Sequence, residues 1–206
     1  MAASETGNPG AAVVLAGGKS LRLGRDKAAV DVGGRSLLAR MVNLARRFCP
    51  LTVVAGRDPA PLVAGVPWFL DDLPGIGPMG GIVTALERIG LPCLVLSCDL
   101  PLLDEATLAK LLDAWRARPE ETVMTTFVQT WTGYIEALVA VYQPEAAAVL
   151  RRANEKGCRK LSKAIPAALR HCVPYGADES RPFFNVNTQE DLVGMHSLTA
   201  RLAPSR

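Results

Sequence analysis

The sequence predicts an α/β fold built on a largely parallel sheet, and three features carry that prediction. Short apolar runs of strand length alternate with stretches whose apolar residues recur at helical spacing, the pattern expected of parallel strands joined by crossover helices. Helix start and stop signals stand between them, with Gly77-Pro78 opening one helix and Gly90 closing it. The first apolar run, Ala11 to Leu15, leads directly into glycines and cations, the kind of loop found at the carboxyl ends of strands where open α/β sheets hold ligands.

Ala11 to Leu15 reads as a buried first strand. Ser36 to Phe48 is a helix with Leu37, Leu38, Met41, Val42, Leu44 and Ala45 as its apolar positions. Leu51 to Ala55 is a second strand, and Val66 to Leu70 a third that ends at Asp71-Asp72. Pro78 to Ile89 is the next helix, and Leu91 to Ser97 a buried central strand ending at Cys98-Asp99. Asp104 caps a helix that runs to about Ala117. Glu121 to Thr126 and Ile135 to Tyr142 are strands of the second half, one of them antiparallel to the rest. Pro144 to Asn154 is a helix stopped near Gly157, Arg170 to Val173 a short strand, and Thr188 to about His196 a terminal helix with Thr188 as its cap. No repeat or linker divides the chain, so a tail over residues 1–10 and one domain over residues 11–206 are expected.

The chain of 206 residues is long enough for one α/β domain with a full core. With 49% hydrophobic and 21% charged residues it is globular rather than disordered. A net charge of +3 demands neither nucleic acid nor an anionic membrane, yet suits a phosphorylated substrate. No apolar run reaches the roughly 18 residues that a membrane span requires, and residues 1–10 contain no apolar signal-peptide core. The five cysteines, Cys49, Cys93, Cys98, Cys158 and Cys172, form no C-x-x-C pair and read as reduced thiols. A cytoplasmic location is the expectation that follows. His171 and His196 have no ligand spacing to the cysteines, which argues against zinc.

Three motifs carry chemistry. The first is Leu15-Ala16-Gly17-Gly18 followed by Arg22, Arg25 and Lys27. Glycines let the backbone approach phosphate oxygens, and the free N–H groups and cations there bind anions. Val13 stands where a Walker loop needs glycine, and the spacing is not G-x-G-x-x-G; a tight strand-to-helix turn with solvated cations is the plain alternative. The second motif is Asp99 at the end of the central strand, before Pro101. A lone carboxylate there suits Mg²⁺, which takes the rest of its shell from water and phosphates; a turn residue is the alternative. Upstream, an acidic side chain of Asp71 or Asp72 beside the glycine-rich stretch Pro74 to Gly81 can accept the paired N–H donors of guanine, with a solvated turn as the alternative for at least one of the two. The third is Asn185-Val186-Asn187-Thr188, whose asparagines fall on one side of an extended segment. They can read a polar heterocycle or a phosphate, or cap the helix that follows.

In this order, Leu15 to Gly18, Arg22 to Lys27, Gly77-Pro78-Met79-Gly80-Gly81, Cys98-Asp99-Leu100-Pro101 and Phe184 to Thr188 resemble the signature of the nucleotidyltransferases that activate molybdopterin, the molybdenum cofactor guanylyltransferases in particular. The resemblance extends from about Ala11 to Leu192. It implies a Rossmann-like three-layer α/β sandwich and a reaction that joins GMP from GTP to molybdenum-bound molybdopterin, releasing pyrophosphate. It implies a nucleotide site of Leu15, Ala16, Gly17, Gly18, Lys27, Asp71, Gly77, Gly81 and Asp99, with Asp99 as the Mg²⁺ ligand, Lys27 and Arg22 as the charge-stabilising cations, and Asn185 and Asn187 on the pterin. Transient contact with molybdenum-inserting proteins and acceptor molybdoenzymes is implied as well. Where relatives carry an asparagine after the second strand, this chain reads Ala55-Gly56-Arg57, so that contact is lost or taken over by backbone. Arg159 and Lys160 are candidates for the pterin phosphate or solvated helix-end charges. A cytidylyltransferase of the same scaffold is the alternative, and the Gly-Pro-Met-Gly-Gly and Asn-Val-Asn-Thr elements favour guanine by resemblance. A non-catalytic nucleotide-binding module would need the glycine loop but neither Asp99 nor a second substrate site.

Overall fold

Both faces of the first strand are buried, and this sets the architecture. The computed structural model describes residues 7–17 and 24–200, the last six as backbone alone. Ala11, Val13 and Leu15 of β1 (Ala11–Leu15) face one apolar core, while Ala12, Val14 and the following Ala16 face another. A strand apolar on every residue is the signature of a sheet covered on both sides by helices.

The other strands are β2 (Thr52–Ala55), β3 (Trp68–Phe69), β4 (Cys93–Ser97), β5 (Met124–Gln129), β6 (Ile135–Tyr142) and β7 (Arg170–Tyr175). They form one sheet in the order β3-β2-β1-β4-β6-β5-β7. Pairing is parallel from β3 to β4 and between β5 and β7, whereas β6 is antiparallel to both β4 and β5. The antiparallel strand expected in the second half is therefore β6. The helices are α1 (Leu37–Arg46), α2 (Pro78–Ile89), α3 (Glu105–Arg116), α4 (Ala146–Glu155), α5 (Leu161–Ala164) and α6 (Gln189–Ala200). α2, α4 and α5 pack on the face of Val13, and α1 and α3 on the face of Val14, which makes the three layers.

Local chemistry sets the helix ends. Ser36 Oγ accepts from Ala39 N–H at 3.1 Å and Asp104 Oδ1 from Thr107 N–H at 2.8 Å, each satisfying an orphan donor of a first turn. Gly77, at φ 67° and ψ −152°, holds a conformation that side chains exclude, and Pro78 then starts α2. At α6, Thr188 N–H donates to Asp191 Oδ2 at 2.8 Å while Thr188 Oγ1 accepts from Asp191 N–H, a reciprocal cap.

Some boundaries move. β5 starts at Met124 because Thr122 N–H closes a turn on Pro119 O, and it runs on to Gln129. β7 continues through Pro174 to Tyr175; it is an edge strand, where a missing donor is tolerated. β3 shrinks to two residues behind Pro67. The four-residue α5 was not foreseen. Of the tail expected over residues 1–10, residues 7–10 are instead tied down: Arg116 donates to Gly7 O at 2.8 Å and Asn8 Oδ1 at 2.7 Å, and Asn8 donates to Phe48 O at 3.0 Å.

β6 also carries a bulge. Thr126 pairs with Ala140, but Val128 pairs with Ile135. The buried Thr126 hydroxyl lies 2.8 Å from Glu136 O and 3.2 Å from Val139 O and closes the bulge from inside. Bulges re-aim side chains near ligand sites; here Leu138 turns into the cleft described next.

Candidate active site

The carboxyl ends of β1, β2, β3 and β4 open on a cleft of about 710 Å³. Leu15, Gly17, Asp71, Gly77, Gly81 and Asp99 line it, with Ala55, Gly56, Leu70, Pro74, Gly75, Pro78, Ser97 and Leu138. Six of the residues predicted for nucleotide thus share one wall system. Ala16 does not: its side chain lies in the core on the α1 side and its N–H is bonded to Ala55 O at 2.9 Å. Gly18 and Arg22 fall outside the described residues.

Lys27, Asp99 and Asn187 come from three distant parts of the chain and meet at the edge of this cleft. Lys27 Nζ lies 2.6 Å from Asp99 Oδ2 and donates to Asn187 Oδ1 at 2.7 Å. Backbone fixes the geometry. Asp26 Oδ1 accepts from Ala28 N–H at 3.1 Å and sets the one-turn 3₁₀ helix Lys27–Ala29. Val186 N–H donates to Asp99 O at 3.0 Å, pinning the Asn185–Thr188 segment to the end of β4. Val186 is buried, and Asn185 and Asn187 on either side of it are exposed. The side chains of Lys27 and Asp99 are each only 16% exposed, and Asp99 Oδ1 is buried without a hydrogen-bond partner among the described residues. A buried carboxylate oxygen left unpaired is costly unless something else meets it.

The two neighbouring aspartates separate cleanly. Asp72 forms a two-pronged pair with Arg88, at 3.0 and 2.5 Å, on the exposed flank of α2. Asp71 faces the cleft, and its Oδ1 is buried with no hydrogen-bond partner among the described residues. Burial, and then the charge of Asp72, raises the Asp71 carboxyl above its ordinary value. Gly81 makes room for it: a Cβ there would stand 3.1 Å from Asp71 Oδ1. Because the folded-state pKa is raised, charged Asp71 opposes folding at neutral pH. Asp71→Asn is therefore expected to raise the melting temperature slightly in a thermal unfolding scan. In the native protein, a ligand that donates to the carboxylate should lose affinity with acidification at a higher pH than an ordinary aspartate would give.

Gly56 carries the loop after β2. Its φ is +97°, its N–H donates to Phe69 O at 2.8 Å, and a Cβ would fall 2.6 Å from Gly17 Cα and 2.7 Å from Gly17 N. The Gly17 loop and the β2 loop thus touch backbone to backbone, and no side chain fits between. Gly56→Ala should cost roughly 1–3 kcal/mol in denaturant unfolding and weaken nucleotide binding with it. The next residue, Arg57, pairs with Asp26 at 2.7 Å; the guanidinium lowers the Asp26 carboxyl and clamps the basic loop to β2. Spacing gave no sign of this clamp or of Leu138. A glycine after a buried strand was visible, but its partner was not.

Beyond Asp99, the hairpin between β5 and β6 is held by Glu136. This buried carboxylate accepts from Gln129 Nε2 at 3.2 Å and from the Tyr175 hydroxyl, and burial raises its pKa. Arg159 and Lys160 are exposed and do not line the cleft; Lys160 precedes α5. Burial pushes the thiols of Cys49, Cys93 and Cys98 up to about 12, so they behave as inert core groups. Among the described residues no cluster of three metal-ligating side chains exists and no helix is long and apolar enough to cross a membrane.

The family model of the MobA-like NTP transferase domain matches residues 12–171. The chain belongs to the MobA-like NTP transferases. A probable molybdenum cofactor guanylyltransferase of Chloroflexus aggregans is 32% identical over 198 residues, covering 87% of this chain and 90% of that protein. The molybdenum cofactor guanylyltransferase of Rhodobacter capsulatus is 33% identical over 201 residues, 94% of this chain and 98% of that one. Among solved structures, the molybdopterin-guanine dinucleotide biosynthesis protein A of Archaeoglobus fulgidus superposes with a TM-score of 0.73 at 25% identity, over 93% of this chain and all of that one. This MobA-like transferase is a nucleotidyltransferase with the mixed sheet and flanking helices of its relatives.

Proposed function

We propose that this MobA-like transferase moves GMP from GTP to molybdenum-bound molybdopterin and releases pyrophosphate. The observation that carries the reading is the junction of Lys27, Asp99 and Asn187, where three separate motifs converge on one corner of the cleft. The names of the relatives supply the substrates.

The base would lie against the Gly75–Gly81 wall with its two N–H donors on Asp71, whose unpaired Oδ1 asks for such a partner. Losing that pair in Asp71→Asn should cost about 1.5–3 kcal/mol, or roughly 10- to 100-fold in GTP affinity by calorimetric titration. The triphosphate would follow the Gly17 loop toward Lys27. Asp99 Oδ1, buried and without a protein partner, is the group that would hold a divalent ion; magnesium fits a site of one carboxylate completed by phosphates and water. When bound, it supplies Lewis-acid neutralisation of the phosphate oxygens.

On the acceptor side, an oxygen of the molybdopterin phosphate attacks the α-phosphorus, and the bond to the β-phosphate oxygen breaks. That oxygen is a nucleophile as it stands, so the protein need not remove a proton. Consistent with this, His171 lies near the start of β7, at the opposite edge of the sheet. The protein's work is positioning and charge stabilisation. Asn185 and Asn187 are exposed on either side of Val186, whose N–H is bonded to Asp99 O, and would orient the pterin. The test is pyrophosphate release with GTP or CTP in the presence of magnesium and molybdopterin. Turnover with GTP alone supports the reading, and preferential turnover with CTP would replace it with a cytidylyltransferase.

A further inference from the structure

Lys27 sits on the carboxylate that the proposed reaction gives to the metal. Its ammonium is 2.6 Å from Asp99 Oδ2 and is held there from the other side by Asn187 Oδ1 at 2.7 Å. Both side chains of the pair are five-sixths buried, so water screens the contact weakly. A divalent cation that reaches Asp99 Oδ1 would meet this ammonium across one carboxylate, and like charges so placed repel strongly. Phosphates relieve the conflict, because they accept both cations at once. The same exchange changes Asn187: an ammonium drawn to phosphate leaves its exposed amide oxygen without the Lys27 donor.

We propose that Lys27 competes with the divalent ion for Asp99, and that only a metal–nucleotide complex, not the bare ion, displaces it. Asn187 is then a positioning residue for Lys27, and its release prepares the acceptor side, so that nucleotide binds before acceptor. This rests on Asp99 being the metal ligand, as proposed above, and extends it to the order of events.

The test is Mn²⁺ binding followed by loss of the free-ion electron paramagnetic resonance signal, on the full chain, with and without GTP. Wild type should bind the bare ion weakly, and Lys27→Met should bind it about tenfold or more tightly, since the competing charge is gone. Lys27→Gln, which keeps a polar side chain, should do the same, and circular dichroism shows that either variant is folded. Asn187→Ala should move in the same direction by less. With GTP present the order should reverse, because Lys27→Met lacks the phosphate contact. Unchanged or weaker bare-ion binding in both Lys27 variants overturns the competition while leaving Asp99 as ligand. Mn²⁺ binding that survives Asp99→Asn overturns that ligand assignment, and the competition with it. For the order of addition, a molybdopterin that binds equally well with and without nucleotide in a fluorescence titration contradicts the release of Asn187.

Discussion

Asp99→Asn should lower turnover by about 10³-fold, or roughly 4 kcal/mol of transition-state stabilisation, and should cost some stability too, because the largely buried Lys27 ammonium loses its charge partner. Asparagine keeps the shape of the side chain but removes the charge that faces the cleft through Oδ1. The backbone contact of Val186 N–H to residue 99 O does not involve the side chain, so the Asn185–Thr188 segment stays in place. Lys27 keeps its hydrogen bond to Asn187. The loss of turnover should appear in the maximal rate of pyrophosphate release at saturating magnesium, assayed well below a melting temperature that falls with the broken Lys27 pair. A variant that retains more than about a tenth of the activity would show that the carboxylate holds no essential ion.

Lys27→Ala should cost about 10²- to 10³-fold in the single-turnover rate, the range found when one preorganised charge contact is removed. Two consequences separate it from Asp99→Asn. The Michaelis constant for GTP should rise together with the fall in rate, because the ammonium would meet phosphate in both the bound and the transition state. Lys27→Arg should rescue only in part: the site is built for a compact point charge between Asp99 Oδ2 and Asn187 Oδ1, and a planar guanidinium fits that geometry poorly. A loss below about tenfold in the alanine variant would remove Lys27 from the reaction.

Much of this site could be read from the sequence because its parts sit at element ends with strong punctuation. Gly77-Pro78 and Gly90 bound α2 at the predicted residues, and the apolar run before Asp99 could only be a central strand. Asp71 and Asp72 could not be told apart by spacing. The difference lies in Arg88, one side chain along α2, which takes Asp72 and leaves Asp71 to the cleft. Gly56 was legible as a glycine after a buried strand but not as a contact, since its neighbour Gly17 is 39 positions away. The bulge that aims Leu138 into the cleft depends on a buried threonine hydroxyl across the sheet, which no periodicity in β6 reveals. Local propensity and capping found the elements, whereas contacts closed by tertiary packing had to be seen.

The central claim is tested most directly by a crystal structure with GTP and Mn²⁺, in which the anomalous signal locates the ion independently of the protein. The account predicts a manganese peak in coordination range of Asp99 Oδ1, Lys27 moved from Asp99 to phosphate, and the guanine edge on Asp71. A manganese peak away from Asp99, or a base bound outside the Gly75–Gly81 wall, would contradict it.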